Sequence, residues 1–188
     1  MNELRARPTV VAAAAVVTLV LAAVSTVALA AAFGAFRSGS TAPNGQCSAP
    51  ALPGTVVNVE LANMGGPMMM SGGSVGGAMR VLASRQEVPH GTVSLRVADV
   101  GSLVHELVVL PLAKGQQLGS RTVASDGRVD EAGSVGEASR TCGAGAGDGI
   151  NPGAISWVTL HLARGDYELI CNFPGHYAAG MYTHLRVS

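Results

Sequence analysis

Charge is scarce in this chain. Only 13% of its 188 residues are Asp, Glu, Lys or Arg, the 12 acidic residues balance the 12 basic ones, and lysine occurs once, at Lys114. A neutral chain without basic runs lacks the footprint of a nucleic-acid binder, so no nucleic-acid partner is expected. It also lacks the charge blocks of a disordered acidic or basic tail. Aromatic residues make up only 4%, and no heptad pattern supports a coiled coil. Three cysteines are present and none forms the Cys-x-x-Cys-His of haem attachment.

What is abundant is glycine, at 25 residues, and one long apolar run. Residues 9–36 carry no charge, with Arg5 and Arg7 before them and Arg37 after. As a helix they reach roughly 42 Å, against a hydrocarbon core of about 30 Å. The positive charge on the N-terminal side puts residues 1–8 in the cytoplasm and exports the rest. We read 9–36 as an uncleaved transmembrane anchor, which makes this a single-pass membrane protein with an extracytoplasmic C-terminal domain. The competing reading is a signal peptide cut after Ala28-Leu29-Ala30, giving a secreted protein. The apolar run is about twice as long as a signal peptide needs and continues past that site. A lipoprotein is not expected, because Asn44-Gly45-Gln46 before Cys47 lacks the apolar residue of a lipobox and Cys47 lies far from the apolar run.

Residues 37–54 are rich in Gly, Pro and Ser and read as a linker. From residue 55 short β-type runs follow one another between Gly and Pro: 55–61, 78–84, 92–99, 104–110, 155–162, 166–172 and 181–187. Val93, Leu95 and Val97 alternate cleanly. In 155–162, Ile155, Trp157, Thr159 and His161 share one face, opposite Val158, Leu160 and Leu162; Trp157 is taken as core. Seven short strands and no amphipathic helix predict an all-β, antiparallel sandwich or barrel over 55–188. Residues 114–154, with ten glycines in 41 positions, read as a long excursion with a short helix near 130–140.

The end of the chain carries the chemistry. Cys171-x4-His176-x4-Met181 puts a thiol, an imidazole and a thioether in one loop between two predicted strands, and His105 opens an earlier strand. Two histidines, one cysteine and a weak axial methionine are the blue-copper ligand set. Soft thiolate and thioether suit Cu(I), while imidazole tolerates Cu(II).

With its Pro174-Gly175-His176 turn and upstream strand histidine, this pattern resembles the small blue copper proteins, the cupredoxins, and is most similar to the sulfocyanin, rusticyanin and auracyanin group. The likeness is specific around His105 and in 167–187. It implies a Greek-key antiparallel β-sandwich, one type 1 copper per chain, and the metal ligands His105, Cys171, His176 and Met181. Glu106 departs from the pattern, since several relatives carry Asn or Ser there, hydrogen-bonded across to the ligand loop. A dinuclear copper site would need a second cysteine where Pro174, Gly175 and His176 stand. A multicopper oxidase would need His-x-His pairs, and Cys171 is flanked by Ile170 and Asn172. With no acid/base pair either, no enzyme is expected.

Cys47 and Cys142 suit a disulfide in an oxidising compartment, with metal or redox chemistry as the alternative. The segment Met64–Met70, rich in methionine, is either a soft apolar loop or a second Cu(I) site. His90 reads as a turn residue, and His161 and His184 as surface residues. Two functions compete: a membrane-tethered one-electron carrier between respiratory partners, and a Cu(I) storage or delivery protein. For the carrier, the uncharged surface of Pro174, Gly175, Tyr177, Ala178, Ala179 and Gly180 around His176 is the expected docking patch for a redox partner protein.

Overall fold

The computed structural model describes residues 47–63 and 79–188. The apolar segment 9–36 and the methionine segment 64–70 lie outside the described residues. Among those described, no helix is long and apolar enough to cross a membrane.

Among the described residues, ten strands form two five-stranded sheets. They are β1 (Thr55–Ala62), β2 (Arg80–Ala83), β3 (Glu87–Val88), β4 (Gly91–Asp99), β5 (Leu107–Leu112), β6 (Gly136–Ala138), β7 (Gly143–Ala144), β8 (Ile155–Leu162), β9 (Gly165–Ile170) and β10 (Tyr182–Val187). The first sheet runs β2-β1-β4-β8-β7 and the second β3-β10-β9-β5-β6. Side chains alternate across a strand, so β1 buries Val57, Val59 and Leu61 while Asn58 and Glu60 face out. In β4, Val93, Leu95 and Val97 turn to the same core. From the second sheet come Leu107, Val109, Leu169, Leu185 and Val187, so one apolar core fills the space between the sheets.

Both faces of β5 are buried. Leu107 and Val109 enter the main core, whereas Val108 and Leu110 join Val129, Ile170 and Tyr177 on the other side. The cover on that outer face comes from the glycine-rich excursion, which supplies Val129, and from the loop after β9, which supplies Tyr177.

Four sequence expectations need correction. The sheets are mixed rather than antiparallel: β1 runs parallel to β4, β3 to β10 and β7 to β8. Alternation is the same in parallel and antiparallel pairs, so it carries no direction. His105 does not open a strand, because the ladder of β5 starts only at Leu107. His105 instead pairs alone with Ile150, donating N–H to its carbonyl at 3.2 Å and accepting at 2.7 Å. The next amide, of Glu106, donates to the Cys171 sulfur at 3.4 Å rather than to a neighbouring strand. Over 130–140 there is no helix. Asp130 Oδ1 accepts from Ala132 N, Val135 N donates to Val109 O, and β6 pairs with β5. Trp157 is half-buried on the face of exposed Thr159 and His161, while Val158 and Leu160 pack against the core.

Cys47 and Cys142 form a disulfide with Cα atoms 5.2 Å apart. Together with the Ser94 Oγ hydrogen bond to Pro53 O at 2.6 Å, it holds residues 47–54 against the first sheet. His90 sits in a bend, exposed, and His161 is exposed. His184 lies beside Asp166 at 2.8 Å.

Candidate metal centre

Cys171 is the first residue beyond β9. Its amide donates to Met181 O at 3.0 Å, which extends the pairing of β9 with β10 and brings the two ends of the ligand loop together. Between them the chain turns tightly. His176 N donates to Phe173 O, Ala179 N to Gly175 O, Gly180 N to Tyr177 O and Met181 N to His176 O, all within 2.9–3.1 Å.

Three donor atoms converge at this point. His176 Nδ1 lies 3.3 Å from Cys171 Sγ and 3.3 Å from His105 Nδ1, and His105 Nδ1 lies 3.8 Å from the sulfur. Among the described residues no other group of three His, Cys, Asp or Glu side chains is brought together this closely. Cys171 and His105 are 0% exposed, whereas His176 is half-buried. Met181 is also fully buried and belongs to the same core cluster as Cys171.

The electrostatics suit a cation. Burial, and then the neighbouring His176, lowers the His105 pKa to about 4. Burial lowers that of His176 as well. Both rings are therefore neutral near pH 7 and present lone pairs. Burial pushes the Cys171 thiol up to about 12, against the pull of the Phe173 and Glu106 amides. The two imidazole nitrogens and the sulfur form a triangle with sides of 3.3, 3.3 and 3.8 Å. The centre of their triangle is about 2 Å from each atom, the length of a bond from a transition metal to nitrogen or sulfur. A soft divalent or monovalent ion placed there displaces the thiol proton, so binding releases a proton. The donor set fits copper.

Several supporting residues gave no signal in the local sequence. Asn172 pairs with Val129 like a piece of strand, its Oδ1 accepting from Val129 N at 2.8 Å and its Nδ2 donating to Val129 O at 2.9 Å. Gly175 N donates to Gly127 O at 2.8 Å. Gly127 has φ +81, and a Cβ there would stand 2.9 Å from Gly175 N, so glycine lets the excursion lie directly on the ligand loop. Arg128 donates to Asn172 O at 2.9 Å and stands over the Phe173 ring.

Glu106 is buried, with Oε1 3.7 Å from Arg128 Nη1 and without a hydrogen-bond partner among the described residues. Burial, and then Glu131, raises its pKa to about 7, against the pull of Arg128 and of the Asn172 amide. Glu106 thus stands where Asn or Ser was expected to link to the ligand loop, and its nearest charged partner is Arg128.

Tyr177 corrects the expected surface patch. It is only 2% exposed, its hydroxyl donating to Glu168 Oε1 at 3.0 Å. Glu168 is itself paired with Arg121 and accepts from Gly119 N at 2.8 Å. A buried phenol needs such a partner, and this one ties the residue after His176 to β9. Pro174, Gly175, Ala178, Ala179 and Gly180 remain exposed around His176.

A family model described as the Sulfocyanin (SoxE) domain matches residues 54–188. Similar solved structures include dithionite-reduced auracyanin from Roseiflexus castenholzii, at 19% identity over 71% of this chain and 96% of that one, with TM-score 0.43. Auracyanin A, a "blue" copper protein from Chloroflexus aurantiacus, matches at 17% identity over 71% and 99%, with TM-score 0.42. Rusticyanin from Thiobacillus ferrooxidans matches at 19% identity over 72% and 79%, with TM-score 0.42. No curated protein matches the chain.

Proposed function

Since this chain belongs to the sulfocyanin (SoxE) family, an all-β cupredoxin-type family with copper as cofactor, we propose that it is an exported one-electron carrier held to the membrane by residues 9–36. In this reading His105, Cys171, His176 and Met181 would hold the copper, with the Met181 thioether the weakest donor of the four. Bound there, copper supplies one-electron chemistry between its Cu(I) and Cu(II) states.

The observation that carries the reading is the convergence of two neutral imidazoles and a buried thiol on one point, within 3.3–3.8 Å of one another. The protein's part is to keep them there. The Asn172–Val129 pairing and the Tyr177–Glu168–Arg121 chain brace the ligand loop from behind. Ligands held this firmly rearrange little between oxidation states.

The electron's exit follows from exposure. Cys171 and His105 are sealed, and His176 alone of the three reaches towards solvent. Its exposed neighbours Pro174, Gly175, Ala178 and Ala179 carry no charge, so a redox partner meeting them desolvates none there, although Arg128, with 39% of its side chain exposed, stands over Phe173 beside them. Ala179→Lys is expected to leave the visible spectrum in place and to slow self-exchange between reduced and oxidised molecules. A lysine trapped in a dry contact costs about 1–3 kcal/mol unless it finds a counter-charge. Stopped-flow mixing of the two forms checks this, and unchanged rates at several salt concentrations would move the exit elsewhere. For the tether, full-length protein is expected to stay with membranes through a high-salt wash. A soluble fragment beginning near Ala31 would show instead a cleaved signal peptide.

A further inference from the structure

We propose that Asn63 is a positioning residue that fixes the tautomer and orientation of His105, so that Nε2 carries the proton and Nδ1 offers its lone pair to the metal. The inference rests on the reading of His105 as a ligand through Nδ1.

Asn63 follows β1, 42 residues before His105, and its Oδ1 stands 3.1 Å from His105 Nε2. The same oxygen accepts from two main-chain amides, Ser102 N at 2.7 Å and Leu103 N at 3.3 Å. Amides only donate, so the atom facing them is the carbonyl oxygen and not the NH2 group. The NH2 group is occupied on its own side, donating to Ser102 Oγ at 2.9 Å. An oxygen cannot donate, so the contact to His105 requires a proton on Nε2. In a neutral imidazole the other nitrogen then has a free lone pair. That nitrogen is Nδ1, the one facing His176 and Cys171 at 3.3 and 3.8 Å.

The loop is built to admit this side chain. A Cβ on Gly101 would run into the Asn63 carboxamide and stand 3.0 Å from His105 Nε2. Glycine is therefore needed at 101 for close approach, not for an unusual backbone angle. Outer partners of this kind orient metal-binding histidines and raise their basicity.

The test begins with the metal-free, full-length protein. Long-range 1H–15N correlation spectra are expected to show His105 protonated at Nε2. In Asn63→Ala the ring is expected to show averaged tautomers, and Cu(II) affinity to fall roughly 10–100-fold. Asn63→Asp keeps the acceptor and is expected to keep the tautomer and an affinity within a few-fold of the parent. Its added negative charge favours Cu(II) and shifts the midpoint potential downwards. A proton on Nδ1 in the parent overturns the proposal. So does an unchanged tautomer and affinity in Asn63→Ala, or an equal loss in Asn63→Asp and Asn63→Ala. If Asn63→Ala fails to fold, the parent spectrum and Asn63→Asp still decide. A parent protein with Nε2-protonated His105 that gives no coloured copper form would overturn the electron-carrier reading and leave this one standing.

Discussion

Cys171→Ser is expected to abolish the intense visible colour of the copper-loaded protein altogether. That colour comes from charge transfer out of a thiolate sulfur, and Cys171 supplies the one sulfur in the converging group, 3.3 Å from His176 Nδ1. A serine oxygen in the same place is harder and stays protonated, so the remaining imidazoles hold Cu(II) without the strong band. Copper analysis and an absorption spectrum on the same sample separate loss of metal from loss of colour. Persistent colour in this variant would sink the ligand assignment. Met181 gives a graded comparison. Met181→Gln offers a harder oxygen donor and is expected to lower the reduction potential, whereas Met181→Leu removes the donor and is expected to raise it. Both variants should stay coloured, and equal potentials in a redox titration would contradict an axial role for Met181.

Much of the sandwich was legible because alternation survives translation into structure. The strand read at 155–162 is β8 residue for residue, and Val93, Leu95 and Val97 are all core. Strand direction was not legible, since it depends on the path of the connections and not on side-chain period. The edge of β5 was misplaced by a functional cause: the Glu106 amide leaves the ladder to bond the Cys171 sulfur. The continuous apolar run after Glu106 gives no hint of that diversion. The apolar sequence Leu107-Val108-Val109-Leu110 offers side chains to both faces, yet nothing local says what covers the second face. Val129 and Tyr177 do so.

At the site, spacing brought out the four candidate ligands because three of them share one short loop. Their supports were hidden because they are distant in sequence. Asn172 meets Val129 across 43 residues, and Asn63 meets His105 across 42. Tyr177 reads as surface from its small, uncharged neighbours. The fully buried Glu168 that accepts its hydroxyl proton could be identified only from the folded chain.

Removing the disulfide is expected to destabilise the domain by more than any single side-chain truncation on its surface. The bond joins residues 95 apart in sequence. In the chain-entropy model, closing a loop of that length disfavours the unfolded chain by about 4–5 kcal/mol. The Cα separation of 5.2 Å lies in the ordinary range for a bridge. Its surroundings also hold Cys142 in place without the bond: Cys142 N donates to Ile155 O at 2.8 Å, and Ser156 Oγ donates to Gly143 O at 2.9 Å. Little native structure on that side should therefore collapse, and most of the loss should come from the freed unfolded state. On the other side, residues 47–54 would keep the Ser94–Pro53 hydrogen bond, and a serine at 47 can still accept from Ile155 N of β8 as the Cys47 sulfur does at 3.5 Å. The Cys47→Ser/Cys142→Ser double variant leaves Cys171 as the sole cysteine, so mispairing within the chain cannot confuse the result. Denaturant unfolding of metal-free protein is expected to show a loss of about 4 kcal/mol, while the spectrum of the copper-loaded variant stays that of the parent. A loss below about 1 kcal/mol would mean that the unfolded chain is already compact enough to make the cross-link nearly redundant. A changed spectrum would mean instead that the edge strand β7 and the metal loop are mechanically linked through β8.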